Sequence, residues 1–469
     1  MKQENLIKKR VIVLALCIVS LIIPIFVPTE QIKAEEFWPE GPQLNVPNAI
    51  VMEVNTGTIL YEKESHEKHY PASITKILTT LLVIENCDMD EIVTFSADAV
   101  FKNEGETSNI ARDLGEQMTI EECLYGVMLE SANECAYAVA EHVGQKMGGD
   151  YRTFIDLMNK RAKEIGCKNS HFNNSNGLPD EEHWTSAYDM ALISCEAYRN
   201  PEFKTISGTE SYWIPPTNKH SQETPLNNHH NILHFFNTKQ YVNPYCTGGK
   251  TGYTSAANST LVTYAEKDGL VLCVVVMDAD SPDHWIDTNK LIDFCFNNYQ
   301  ALNILENEKS IASSESSERG ILNNNKSFVS LDEEAYIVLP NTVKFSDANF
   351  ERDENEGNKY TIATLKYTYA GHKVGKVKIV ATKAKVESEF FEKIQKDQED
   401  ENIIIIKPIY IVAAIVAVAI LITMLIIVKK IYDNYYMIRH NMKERKIYKE
   451  QYAQKKRRRH RSKKDIMFK

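Results

Sequence analysis

Apolar and polar positions alternate along "NAIVMEVNTGTILYEKE" on both sides of Asn55-Thr56-Gly57, which predicts a β-hairpin near the start of the folded chain. The period then lengthens. In "YPASITKILTTLL", from Tyr70 to Leu82, residues Ile74, Ile77, Leu78, Leu81 and Leu82 recur on one helical face, so this segment should pack into a core. Helical spacing continues through "TIEECLYGVMLESANECAYAVAEHVGQKM", where Thr119 and Glu122 form a capping box and Leu124, Val127, Met128 and Leu129 face inward. A further helix follows in "DYRTFIDLMNKRAKEIGC", then a polar loop and a helix from Ala187. Period-2 patterning returns in "STLVTYAEKDGLVLCVVVMDA", with Lys267-Asp268-Gly269 as the turn, and "WIDTNKLIDFCFNNYQALN" reads as a closing helix. Strands thus open and close the unit while helices fill its middle. That order predicts an α+β domain whose terminal segments share one antiparallel sheet.

Different patterns flank this unit, taken as residues 36–302. Lys8, Lys9 and Arg10 precede an apolar run that ends before Ala34, the layout of a signal peptide over residues 1–34. A polar, serine-rich stretch at 303–326 predicts a linker, and short alternating runs at 327–395 predict a small all-β domain acting as a spacer. Residues 407–428 include an uncharged aliphatic run from Ile409 to Val428, long enough as a helix to cross the roughly 30 Å hydrocarbon layer.

Charge gives these segments an orientation. The tail, residues 429–469, carries 16 Lys or Arg against 4 Asp or Glu, whereas the whole chain has a net charge of −10. An acidic body outside and a basic tail inside obey the positive-inside rule, predicting a single-pass membrane protein with its folded body outside the cell and its basic tail in the cytoplasm. Contact with anionic lipid explains the basic tail without invoking nucleic acid.

Cysteine adds little chemistry. Beyond Cys17 in the leader, Cys87, Cys123, Cys135, Cys167, Cys195, Cys246, Cys273 and Cys295 show no short-spaced pairs, and most sit in apolar periodic contexts, so mostly free thiols are expected. No Cys/His cluster has zinc-ligand spacing, and "AEHVGQ" around His142 lacks the second histidine of a metalloprotease helix. No metal or cofactor is expected to take part in the chemistry.

The candidate chemistry begins with Ser73 and Lys76, one helical turn apart. A serine hydroxyl becomes a nucleophile when a neighbour takes its proton, and a lysine can do so once burial, a helix N-terminus or another cation lowers its pKa. Ser-x-x-Lys alone is common by chance. Two further motifs follow it in order: Ser131-Ala132-Asn133, and Lys250-Thr251-Gly252 with Tyr253 and Thr254. Ser-x-x-Lys, Ser-x-Asn and Lys-Thr-Gly in this order match the signature of penicillin-binding proteins and class A β-lactamases.

The blocks "YPASITKILTTLLVIE", "TIEECLYGVMLESANECAYAVAEHV", "NSNGLPDEEHWTSAYDMALIS" and "GGKTGYTSAA" resemble the low-molecular-mass penicillin-binding proteins, the serine-type D-Ala-D-Ala carboxypeptidases of peptidase family S11. The resemblance implies a penicillin-binding/β-lactamase-like catalytic domain, an antiparallel sheet flanked by helices with the active site between them. It is followed by a small all-β domain and one C-terminal transmembrane helix. The implied substrate is the pentapeptide stem of peptidoglycan, with β-lactams as acylating inhibitors. Ser73 would attack the penultimate D-Ala carbonyl and Lys76 would accept its proton. Backbone N–H groups of Ser73 and Tyr253 would hold the oxyanion. Ser131 would relay a proton to the leaving amine, and Asn133 would hold Lys76 or the substrate amide. Lys250, Thr251 and Thr254 would receive the substrate carboxylate, and Gly252 would keep the strand open to its approach.

The sequence departs from the family pattern at Glu134, where Asp is frequent, and after the third motif, where Ala256-Ala257 stand in place of an expected glycine. His229 and His230 precede the third motif and are candidates to line the cleft. Three other readings share the motifs. A β-lactamase would need a deacylating glutamate, for which Glu181 and Glu182 lie in the right region; the others are a non-catalytic β-lactam or muropeptide receptor and a peptidoglycan DD-endopeptidase.

Overall fold

A computed structural model describes residues 37–102, 107–313, 329–354 and 361–381, a few positions between 423 and 434, and residues 440–456. The chain divides into Met1–Ala384 and Lys385–Lys469. The first unit opens with the predicted hairpin, β1 (Asn48–Glu53) and β2 (Ile59–Lys63). A 3-10 turn at Ala72–Thr75 leads into α1 (Lys76–Asn86), followed by β3 (Ile92–Thr94), α2 (Ala97–Phe101) and β4 (Gln117–Thr119). Next come α3 (Ile120–Leu129), α4 (Asn133–Lys146), α5 (Tyr151–Ile165), α6 (Ala187–Tyr198) and α7 (Pro201–Gly208). Two short strands, β5 (Ser211–Ile214) and β6 (Thr224–Asn227), precede β7 (Cys246–Thr254), β8 (Asn258–Lys267), β9 (Leu270–Ala279) and α8 (Asp283–Asn298).

The first and last strands form one five-stranded antiparallel sheet in the order β2-β1-β9-β8-β7. Strand periodicity puts two cores on its faces. Cys273, Val275 and Met277 point toward α1, α3, α4 and α6, while Leu272, Val274 and Val276 pack against Trp285, Leu291 and Ile292 of α8. The capping box at Thr119 and Glu122 forms as its spacing requires. The catalytic part is therefore the α+β domain that the sequence pattern implies. Sequence periodicity missed the strand pairs β3–β4 and β5–β6 inserted among the helices, whose strands are only three or four residues long.

Two boundaries differ from expectation. The closing helix ends at Asn298, and Tyr299–Asn303 is a strand, β10, rather than its last turn. The expected linker begins instead with a helix, α9 (Ile304–Ser313), whose Ile304 is fully buried. The physical reason lies downstream. β10 pairs antiparallel with β12 (Tyr336–Pro340), a partner invisible to local periodicity. A four-stranded sheet completes the small domain in the order β11-β15-β14-β13, from β11 (Val329–Leu331), β13 (Asn349–Asp353), β14 (Thr361–Tyr369) and β15 (His372–Ala381). Tyr336 Oη donates to Glu53 Oε1 at 2.5 Å, and Trp38 stacks on His372 with centroids 3.9 Å apart, so the small domain is fastened to the catalytic one.

Of the second unit, residues 440–456 form an exposed helix. Among the described residues no helix is long and apolar enough to cross a membrane. The expected leader, and the expected span apart from residues 423, 424, 426 and 427, lie outside the described residues. All eight cysteines beyond the leader carry free thiols.

Candidate active site

The 3-10 turn that carries Ser73 presses against the edge of the sheet. Thr260 Oγ1 of β8 donates to Pro71 O at 2.8 Å, and Ala72 adopts a left-handed backbone, φ 51°. Gly177 has φ 88°, and a Cβ on it would stand 1.8 Å from Ala72 O. Only glycine allows that approach.

Lys76 begins α1 with its side chain fully buried. Its Nζ donates to Ser73 Oγ at 3.1 Å, Asn133 Oδ1 at 2.7 Å and Asn176 O at 2.7 Å. Burial, reinforced by the charge of Lys250, holds its pKa well below the ordinary lysine value, against the opposing pull of Glu134. The first two motifs therefore meet at one amine nitrogen. The third partner, the Asn176 carbonyl, carries no side-chain signal in the sequence. Asn174 fixes it, since its Oδ1 accepts from Gly177 N at 2.7 Å while its Nδ2 donates to Leu178 O at 3.0 Å.

His183 braces the same region. Its Nδ1 accepts from Asn173 N at 3.0 Å, and its Nε2 lies 3.0 Å from Thr75 Oγ1. Burial pushes its pKa down to about 3, so the ring is neutral and Nε2–H donates to Thr75. Glu181 and Glu182 of the same loop are exposed and are not among the residues lining the cleft.

Ser131 does not lie within a helix. The helical middle breaks at Glu130–Ala132, and Ser131 takes φ 60°, a left-handed conformation costly for a residue with a Cβ. Periodicity missed this break because Leu129 and Ala132 continue the apolar pattern across it. The strain turns Ser131 toward the cleft, where its Oγ is buried without a hydrogen-bond partner among the described residues. Asn133 starts α4 immediately afterwards.

The third motif runs along β7, at the edge of the sheet. Thr251, Gly252, Tyr253 and Thr254 line a cleft of about 1060 Å³ together with Ser73 and Ser131. Lys250 is not on that wall. It is buried beneath it, with Nζ donating to Thr251 O at 2.9 Å, and desolvation pushes its pKa down to about 7 despite the nearby Glu130. The expected role of Gly252, an open approach to the strand, has a second cause. Its missing side chain also lets β7 pack on the turn that bears Ser73.

The two candidate histidines part company. His229 lines the cleft and pairs with Glu130, Nε2 to Oε2 at 2.9 Å. His230 is fully buried behind the sheet, its Nε2 facing Val262 O at 3.1 Å and Thr263 Oγ1 at 3.0 Å.

Comparison with known proteins identifies relatives of this chain. The peptidase S11 family, described as D-alanyl-D-alanine carboxypeptidase, matches residues 35–281. D-alanyl-D-alanine carboxypeptidase DacF of Bacillus subtilis is 34% identical over 271 residues, 56% of this chain and 66% of that protein. DacA of Haemophilus influenzae, a protein of the same description, is 30% identical over 59% of this chain and 68% of its own length. The chain thus spans about two thirds of the length of these relatives. Among solved structures, the Streptomyces K15 DD-transpeptidase superposes with a TM-score of 0.50 at 26% identity, over 55% of this chain and 99% of that one. Penicillin binding protein 5 from Haemophilus influenzae gives 0.56 at 23% identity over 73% and 98%, a likeness of fold that reaches past the family match.

Proposed function

The chain belongs to the D-alanyl-D-alanine carboxypeptidase family, peptidase S11, and from that premise we propose that it is a serine hydrolase removing the terminal D-Ala from peptidoglycan pentapeptide stems. The observation that carries the reading is the convergence of Ser73, Asn133 and the Asn176 carbonyl on the buried Lys76 Nζ.

In its neutral form Lys76 takes the proton of Ser73 Oγ as the oxygen attacks the carbonyl of the penultimate D-Ala. The backbone N–H groups of Ser73 and Tyr253 receive the developing oxyanion. Ser131, whose Oγ has no hydrogen-bond partner among the described residues, passes the proton from Lys76 to the amine of the departing D-Ala. Asn133 and the Asn176 carbonyl hold the Lys76 side chain in register throughout. The substrate lies along β7, the edge strand of the sheet among the described residues, where one more extended chain can pair. The hydroxyls of Thr251 and Thr254 contact its terminal carboxylate, and Lys250 supplies positive charge from below the strand. Water then attacks the acyl-enzyme, releasing the shortened peptide and restoring the serine. A β-lactam enters the same path and stops at the acyl-serine.

The leader, the apolar run at 407–428 and the basic tail support placing the catalytic domain on the wall side of the cytoplasmic membrane, held by one span. Labelling with fluorescent penicillin followed by peptide mapping tests the nucleophile. Modification of Ser73, absent from Ser73→Ala, is expected; labelling at another residue would remove Ser73 from the mechanism.

A further inference from the structure

Away from the cleft, three metal-ligating side chains from distant parts of the chain converge. Cys87 caps the C-terminus of α1, Glu91 lies in the loop before β3, and His142 sits on α4. The Cys87 thiol, a Glu91 carboxylate oxygen and a His142 ring nitrogen all lie within 4.8 Å of one another. His142 Nε2 is 3.0 Å from Glu91 Oε2. Around a tetrahedral zinc, with bonds of about 2.0 Å to N or O and about 2.3 Å to S, neighbouring ligand atoms stand roughly 3.3–3.5 Å apart. The His142–Glu91 edge, at 3.0 Å, is already close to that spacing, and the two edges to the Cys87 sulfur, each within 4.8 Å, need at most a modest contraction.

We infer that Cys87, Glu91 and His142 form a structural binding site for a divalent, zinc-like cation that clips α1 to α4. The other oxygen of Glu91 already has outer partners, which is how ligating carboxylates are usually oriented. Lys146 Nζ and the Asp88 backbone N–H both donate to Oε1, leaving Oε2 directed at His142. Cys87 is nearly buried while Glu91 and His142 remain about one quarter exposed, so an ion can enter from solvent and keep a water as fourth ligand. On binding, the thiol proton leaves to solvent as the S–metal bond forms, and the imidazole carries its proton on Nδ1. Thiolate and carboxylate together balance the two positive charges.

The site's place in the fold gives the clip a consequence. The same two helices carry Lys76 and Asn133 at their N-terminal ends, where those residues meet at 2.7 Å. At a rise of about 1.5 Å per residue the clip lies roughly 13–17 Å from that contact, too far to act on the reaction directly. It fixes how the helices cross. Sequence spacing concealed the site, because His142 follows Glu91 only after 51 positions.

Cobalt titration of the purified, reduced full chain tests the inference without reference to catalysis. One equivalent of Co²⁺ should produce a thiolate-to-metal charge-transfer band with the visible bands of a tetrahedral site; Zn²⁺ should displace it and raise Tm. Cys87→Ser, nearly isosteric and therefore expected to fold, should abolish the band and the Tm shift, and His142→Ala should do the same. Absence of the band in the parent, or an undiminished band in Cys87→Ser, would overturn the proposal, since the metal would then bind nowhere or at another cysteine.

Discussion

A Cβ on Gly252 would stand 2.9 Å from the backbone nitrogen of Ser73 and 2.4 Å from Thr260 Oγ1. The edge strand and the nucleophile's turn are thus packed as closely as backbone permits, and that approach sets the spacing of the proposed oxyanion donors. Gly252→Ala should force the two apart at an overpacking cost of about 1–3 kcal/mol. Thermal unfolding should show a modest loss of Tm, while penicillin acylation falls by roughly tenfold or more for a displacement near the reacting atoms. Wild-type acylation in this variant would show that the close contact has no catalytic role.

The two buried lysines predict the pH dependence. Lys76 must be neutral to accept a proton, and its pKa is held low, so the acidic limb of kcat/KM should report its deprotonation. Lys250 must be charged to attract a carboxylate and sits at about 7, so the alkaline limb should fall through that region. A substrate whose terminal carboxylate is replaced by an amide should keep the acidic limb and lose the alkaline one. Identical profiles for both substrates would contradict the assignment of Lys250.

Lys250 should also cost stability. Its folded-state pKa lies below the unfolded value near 10.5, so between about pH 7 and that value the unfolded chain binds more protons and stability rises with pH. Lys250→Met removes the buried amine and keeps the volume. It should unfold at a higher temperature than the parent at pH 7, by an amount on the order of 1 kcal/mol or more, while losing most carboxypeptidase activity. Calorimetry at pH 7 and pH 10 checks both parts, because the advantage of the variant should shrink at the higher pH.

Ser131 and Asn133 should respond differently to truncation. Ser131 Oγ has no partner to lose among the described residues, so Ser131→Ala should keep the parent's stability within about 0.5 kcal/mol while kcat drops by roughly 10²–10⁴-fold, the usual worth of a positioned proton relay. Asn133→Ala takes an acceptor from the buried Lys76 amine and should lower both activity and stability, the latter by about 1–3 kcal/mol. Equal stability losses in the two variants would place Ser131 in the structural scaffold.

Local pattern made the β1–β2 and β8–β9 hairpins, the capped helix at Ile120 and the three motifs legible, because each depends on neighbours a few residues away. The pairing of Ser73 with Lys76 follows from helical geometry alone. What stayed hidden depends on distant chain. Asn176 acts through its carbonyl, and His183 through bonds to Thr75 and Asn173. The break at Ser131 is a backbone conformation that an apolar run disguises. Likewise β10 is a strand only because β12 lies beside it, and adjacent His229 and His230 point into different environments because one borders the cleft and the other lies behind β8.

Release of free D-alanine from diacetyl-Lys-D-Ala-D-Ala by the purified chain, beside its Ser73→Ala variant, tests the central claim most directly. The account predicts steady release by the parent and none by the variant, with both unfolding at similar temperatures. D-alanine released equally by the two would contradict it, and so would a parent that is acylated by penicillin at Ser73 yet frees no D-alanine from this peptide or from a muropeptide pentapeptide.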